Sequence, residues 1–152
     1  MARPLLLVLV AVLLTACGSG GPVKRVFPPE ARVQELRLEP GNVRLQLRVQ
    51  SFSTVASELQ AYALTLEIAG VEAARLAGRP GTTLLPQAAE IVEAAAPLDA
   101  ASIERARESI AAGTALRYRL HGTITVEPTG RAYPIDYSSA LSPVPGLEGV
   151  LR

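Results

Sequence analysis

The chain has 152 residues, a formal net charge of +1, four Tyr, two Phe and no Trp. That balance supplies no basic stripe for nucleic acid and no acidic tail, and so few aromatic rings argue against surfaces that stack bases or sugars. The 49% hydrophobic content, carried by Ala, Leu, Val and Ile, is too high for a disordered chain and enough for one domain with a core.

Met1 to Pro4 is a short leader with one positive charge, Arg3, followed by an unbroken apolar run from Leu5 to Leu14. A membrane-crossing helix needs about 20 apolar residues, so this run has the length of a signal-peptide core rather than a span. It ends in Leu14-Thr15-Ala16-Cys17, which reads as a lipobox: cleavage between Ala16 and Cys17, then a diacylglycerol thioether on the Cys17 thiol. Cys17 is the only cysteine, so it has no internal disulfide partner, and lipidation accounts for an unpaired thiol in an exported chain. The competing readings are a plain export signal with an incidental cysteine, or a buried helix. Gly18, where Asp would favour inner-membrane retention in enteric bacteria, points to the outer membrane, facing the periplasm. Residues 1–16 are thus expected to be a lipoprotein signal. Residues 17–31 form a tether, beginning with Gly18-Ser19-Gly20-Gly21-Pro22 and stiffening at Phe27-Pro28-Pro29, with a reach of about 45 Å. The domain is expected over 32–146, and 147–152 is a tail. Lys24-Arg25 reads as a solvated pair or as a contact for anionic headgroups.

Arg32 to Leu38 is expected to be the first strand. Pro40-Gly41-Asn42 turns the chain, and Val43, Leu45, Leu47 and Val49 then alternate with polar residues, as in a half-buried strand. Ser51 to Gln60 reads as a polar loop. Tyr62, Leu64, Leu66 and Ile68 alternate again, Ala69-Gly70 turns, and Val71 to Leu76 returns as a hairpin partner. Gly78 to Gly81 is a loop, and Ala89 to Ala95 is a strand. From Asp99 to Ala112 the period changes: Ile103, Ala106, Arg107, Ile110 and Ala111 form a helical stripe, with Asp99 as cap and Gly113 as stop. Leu116 to Val126 alternates with Gly122 in the inward row, which predicts a bulge or close packing. Tyr133, Ile135 and Tyr137 begin the last strand, and Ser142 to Gly146 leaves it extended. The sum is all-β with one helix at about 99–112: an antiparallel sandwich of about seven strands, of fibronectin type III or immunoglobulin-like kind.

Tyr62-Ala63-Leu64-Thr65-Leu66-Glu67-Ile68-Ala69-Gly70-Val71-Glu72-Ala73 resembles the central hairpin of the late-embryogenesis-abundant type 2 family, also called the water stress and hypersensitive response (WHy) domain. Leu85-Pro86-Gln87-Ala88, Tyr118-Arg119-Leu120-His121-Gly122-Thr123-Ile124, Tyr133-Pro134-Ile135-Asp136-Tyr137 and the exit from Leu141 to Pro145 resemble its further segments, in order, over residues 32–146. Where that family often has Asn-Pro-Asn, this chain has Gln50-Ser51-Phe52-Ser53, so a different local turn is expected. The resemblance implies a sandwich with one helix, association with desiccation, cold and stress tolerance, protection of client proteins, and no enzymatic class.

The residues themselves offer no catalytic constellation, and neither a cofactor nor a metal is expected beyond the covalent lipid on Cys17. His121 is the only histidine, and one histidine with one lipidated cysteine cannot build a usual zinc site. A Ser–His site with Ser51, Ser53 or Ser138 lacks a nucleophile-elbow sequence. Asp99, Glu104 and Glu108 read as cap and surface charges, and Gly78-Arg79-Pro80-Gly81 lacks the lysine and hydroxyl of a phosphate loop. The expected partners are the membrane, through the lipid, and protein clients or an envelope complex. Edge strands and Ala94-Ala95-Ala96 are the places to look for them.

Overall fold

The computed structural model describes residues 23–152. The expected signal, the cleavage site at Ala16 and Cys17, and the lipid site therefore lie outside the described residues. Nine strands and one helix follow in order: β1 (Glu30–Glu39), β2 (Asn42–Gln50), β3 (Ser57–Ile68), β4 (Val71–Gly78), β5 (Thr82–Leu84), β6 (Ala89–Ala96), α1 (Ala100–Ala112), β7 (Leu116–Glu127), β8 (Arg131–Leu141) and β9 (Val150–Leu151). They form two antiparallel sheets, one ordered β6-β2-β1-β9 and the other β4-β3-β7-β8, with β5 pairing the start of β3.

Period-2 alternation explains the layers. Val43, Leu45, Leu47 and Val49 on β2, Leu64, Leu66 and Ile68 on β3, and Leu120, Ile124 and Val126 on β7 are almost fully buried, while their polar neighbours face water. In β1 the inward row changes parity, from Ala31 and Val33 to Leu36, because a β-bulge lies between Val33 and Glu35. Tyr118 of β7 reaches across the core to this bulge. Its hydroxyl donates to the Val33 carbonyl and accepts from the Val33 N–H, both at 3.2 Å.

The helix starts where expected. Asp99 Oδ1 accepts from Ser102 N at 3.0 Å, and Gly113 closes the helix in the left-handed region at φ 65. Its buried stripe differs from the expected one: Ser102 and Ala106 are buried, Ile103 and Ile110 are partly covered, and Arg107 and Ala111 face solvent. The helix rests on the end of the sandwich through two small side chains, so the longer residues of its apolar stripe stay at the margin.

Three boundaries move. β3 begins at Ser57, inside the segment read as a loop, because Ser57 to Leu59 pair with β5 and Glu58 and Leu59 pair also with β7. The 147–152 segment is not a free tail: Val150 and Leu151 are buried and pair with β1, and Arg152 N and O bond back to Ser142. The tether also ends earlier than Ala31. Glu30 and Ala31 belong to β1, and residues 23–27 are strapped to the loop after β2.

Candidate functional surfaces

Strand alternation places Arg117, Arg119, His121, Glu67 and Asp136 on the outer face of the five-stranded sheet. Arg119 of β7 sits opposite Ser138 and reaches diagonally to Asp136 of β8, with a bidentate pair at 2.8 and 2.7 Å. That pairing holds the Asp136 carboxyl below its ordinary range and raises Arg119. His121, two residues along, makes a 3.0 Å contact from Nε2 to Glu67 Oε1 on β3. Beside them lies an open depression of about 750 Å³ lined by Glu67, Gly70, Arg117, Arg119, Ser138 and Ala140. Arg119 and Asp136 satisfy each other across strands, as on a solvated sheet face.

The serines weighed as partners of His121 are elsewhere engaged. Ser51 and Ser53 are buried at the far end of the sandwich, where Ser51 Oγ accepts from Ser53 N and Ser53 Oγ accepts from Phe27 N. Ser138 shares the face with His121, yet no hydrogen bond joins them among the described residues. Asp99 is spent on the helix amides, and hydrogen bonding at Ser102 holds its carboxyl low. Glu104 and Glu108 are exposed on the helix. Among the described residues, no three His, Cys, Asp or Glu side chains gather closely enough to hold a metal ion.

On the outer face of the four-stranded sheet, Glu35 is a residue that the sequence reading passed over. Only 5% exposed, it is clamped by Arg37 Nη2 at 3.2 Å and Arg152 Nη2 at 2.7 Å. The Arg152 bond, helped by Arg37, holds the Glu35 carboxyl below its ordinary value against the opposing cost of covering it. The parity change between Val33 and Leu36 was the available signal: a bulge turns Gln34 and Glu35 outward together.

The two ends of the sandwich differ. One end carries α1 and the 142–149 segment. The other gathers residues 23–29, the 51–56 loop, the 79–88 segment and the Pro128–Gly130 turn. Thr54 ties this second end together: its N–H donates to Arg25 O at 3.0 Å, and its hydroxyl donates to Val23 O at 2.7 Å and accepts from Arg25 N at 2.9 Å. Gln87, held at φ 57, lays its amide on the carbonyls of Phe52 and Ser53 at 2.6 and 3.2 Å. The turn expected to differ at Gln50-Ser51-Phe52-Ser53 is therefore built from buried serines and a borrowed glutamine amide.

No family model and no curated protein matches this chain. Its fold is shared. The solution structure of AT1g01470 from Arabidopsis thaliana aligns with a TM-score of 0.57 at 16% identity, covering 85% of this chain and 90% of that one. The crystal structure of a protein from Archaeoglobus fulgidus aligns more loosely, with a TM-score of 0.46 at 15% identity over 81% of this chain and 99% of that one. At such identities the likeness is one of fold alone.

Of the partner-binding places expected from sequence, Ala94 and Ala96 point into the core and leave only Ala95 outward. β4 and β8 are edge strands of the five-stranded sheet. β8 carries Pro134, which lacks an N–H and blunts pairing with another chain.

Proposed function

We propose that this chain is a lipid-anchored bacterial envelope protein with a WHy-like sandwich, and that it protects client proteins against drying and cold without catalysing a reaction. The observation that carries this reading is the role of the residues behind the resemblance. Tyr118 and Gly122 of the Tyr-x-Leu-x-Gly strand are structural pivots, one spanning the sheets and the other admitting β3 backbone at contact distance. The Ala69-Gly70 turn, the Pro86-Gln87 step before β6 and the helix between β6 and β7 fall in the family's order. The sandwich itself is a fold shared with the Arabidopsis protein. The anchor rests on Leu14-Thr15-Ala16-Cys17.

The test of protection uses residues 22–152, which contain all nine strands and the helix of the described residues. A labile enzyme is dried or frozen with this domain, and its recovered activity is compared with recovery beside equal mass of an unrelated β-sandwich. Clear excess recovery is expected. Equal recovery overturns the protective reading and moves an envelope binding module, using the free edges of β4 and β8, to first place. For the anchor, Cys17→Ser is expected to abolish fatty-acid labelling and membrane retention, and a mutant still labelled at wild-type level sinks it.

A further inference from the structure

Among the described residues, seven large hydrophobic side chains are exposed. Val23, Phe27, Phe52 and Leu85 all lie in the segments that meet at the end opposite the helix, and Ile91 is the third residue of β6 from that end. Only Val71 and Leu147 belong to the helix end. Apolar exposure this lopsided marks a contact surface. Phe27, Phe52 and Leu85 lie in backbone that is tied down: Phe27 N donates to Ser53 Oγ, Gln87 fixes the backbone carbonyl of Phe52, and Ala88 N donates to Leu85 O.

The chain outside the described residues says what faces this end. Val23 is bonded to Thr54, so the chain enters here, and Cys17 stands six residues earlier. Six residues reach at most about 20 Å, whereas a strand of the length of β3 carries the opposite end about 40 Å further away. We infer that, when the chain is anchored through Cys17, the end bearing Val23, Phe27, Phe52 and Leu85 seats in the interface of that same membrane. This rests on the lipoprotein reading. The bonds of Thr54 and Ser53 take up residues 23–27, and β1 begins at Glu30, so the tether is too short to leave this end far from lipid. Phe and Leu side chains on a polar body suit the headgroup–acyl boundary. The charges around them lean positive, with Lys24, Arg25, Arg32, Arg48, Arg79 and Arg131 against Glu30, Glu58, Glu90 and Glu127. The exposed apolar side chains carry the seating, so it is expected in zwitterionic lipid, and the surplus of arginine adds to it where headgroups are anionic.

The chain has no Trp, so one introduced Trp is a clean reporter. Full-length lipidated Phe52→Trp, Leu85→Trp and Val71→Trp are each reconstituted in phosphatidylcholine vesicles, some with acyl chains brominated near the headgroup. Fatty-acid label is measured on the same preparations. Labelled Phe52→Trp and Leu85→Trp should emit further to the blue than Val71→Trp and be quenched several-fold more by the brominated lipid. Labelled chains in which all three variants emit and quench alike overturn the seating and leave the anchor standing. A blue shift at Phe52 and Leu85 without quenching means that protein covers the end, and overturns it too. Unlabelled chains overturn the anchor and the seating together.

Discussion

At the scale of single residues, two positions of β7 carry the fold. Tyr118 satisfies both backbone groups of Val33 beside the β1 bulge, in a setting buried enough to push its phenol up to about 12. Tyr118→Phe keeps the ring and leaves a buried N–H and a buried C=O without a partner. A loss of about 3 kcal/mol is expected from urea unfolding, because each orphaned group costs about 1–3 kcal/mol. A loss below measurement error would mean that water replaces the hydroxyl. Gly122 is the sharper case. Its φ of 140 is open to glycine, and an added Cβ would meet Ala63 O and Leu64 Cα of β3. Gly122→Ala combines strain with collision of backbone on backbone, and is expected to cost about 3 kcal/mol or more. At Gly70, also at positive φ but with open space around its Cβ direction, only the strain of about 1 kcal/mol remains. Comparing the two alanine variants by thermal melting separates collision from strain.

At the scale of elements, legibility followed period and turn chemistry. β2, β3, β7 and the helix could be read because their alternation, or the change to helical spacing, extends over several residues, whereas β4 was read from the Ala69-Gly70 turn, its own alternation being broken where Ala73 and Ala74 are both buried. β5 and β9 could not, since three and two residues are too few to show a period. The expected bulge or close packing at Gly122 is close packing, while the bulges of β3 and β4 lie elsewhere in the register, between Leu59 and Ala61 and beside Leu66–Glu67. Those shifts depend on which strand pairs with which, and a single strand's pattern does not contain that. The exposed end was hidden for a similar reason: Val23, Phe27, Phe52 and Leu85 are scattered in sequence, and the Thr54 and Gln87 bonds bring their segments together. The β3–β4 turn shows what the sequence did announce. Ala69 and Gly70 both have positive φ, 53 and 81, as a two-residue turn matching the twist of a hairpin requires. Ala tolerates this poorly and Asn well, so Ala69→Asn should stabilise the domain by about 0.5–1 kcal/mol. A melting temperature that stays level or falls would show that the turn relaxes out of this geometry in solution.

At the scale of the whole molecule, the four-stranded sheet is closed by its last residues, and that closure is tied to a titrating group. Val150 and Leu151 bury their side chains against β1, and Arg152 covers Glu35 on the outside. Removing residues 150–152 forfeits two buried aliphatic side chains, about 1.5–3 kcal/mol each, and is expected to lower stability by about 4 kcal/mol. The electrostatic part can be isolated by pH. The Arg152 bond depresses the Glu35 carboxyl in the folded state below its ordinary value near 4.5, and the Ser102 bond does the same for Asp99. A depressed carboxylate binds its proton more readily in the unfolded chain. Its contribution is therefore fully present above the unfolded value and is lost as pH falls through the folded one. Stability should stay level with respect to these two groups above about pH 5 and decline below about pH 4.5. Glu35 is shielded by arginines that are themselves half in water, so its share is about 1 kcal/mol rather than that of a deeply buried pair. Glu35→Gln should then be less stable than the parent at pH 7, decline less steeply in acid, and meet the parent curve once Glu35 is protonated in both states. Urea midpoints at intervals from pH 7 to pH 2.5 measure this. Parallel curves for the two chains would mean that Arg152 holds β9 by packing alone, with the carboxylate a bystander.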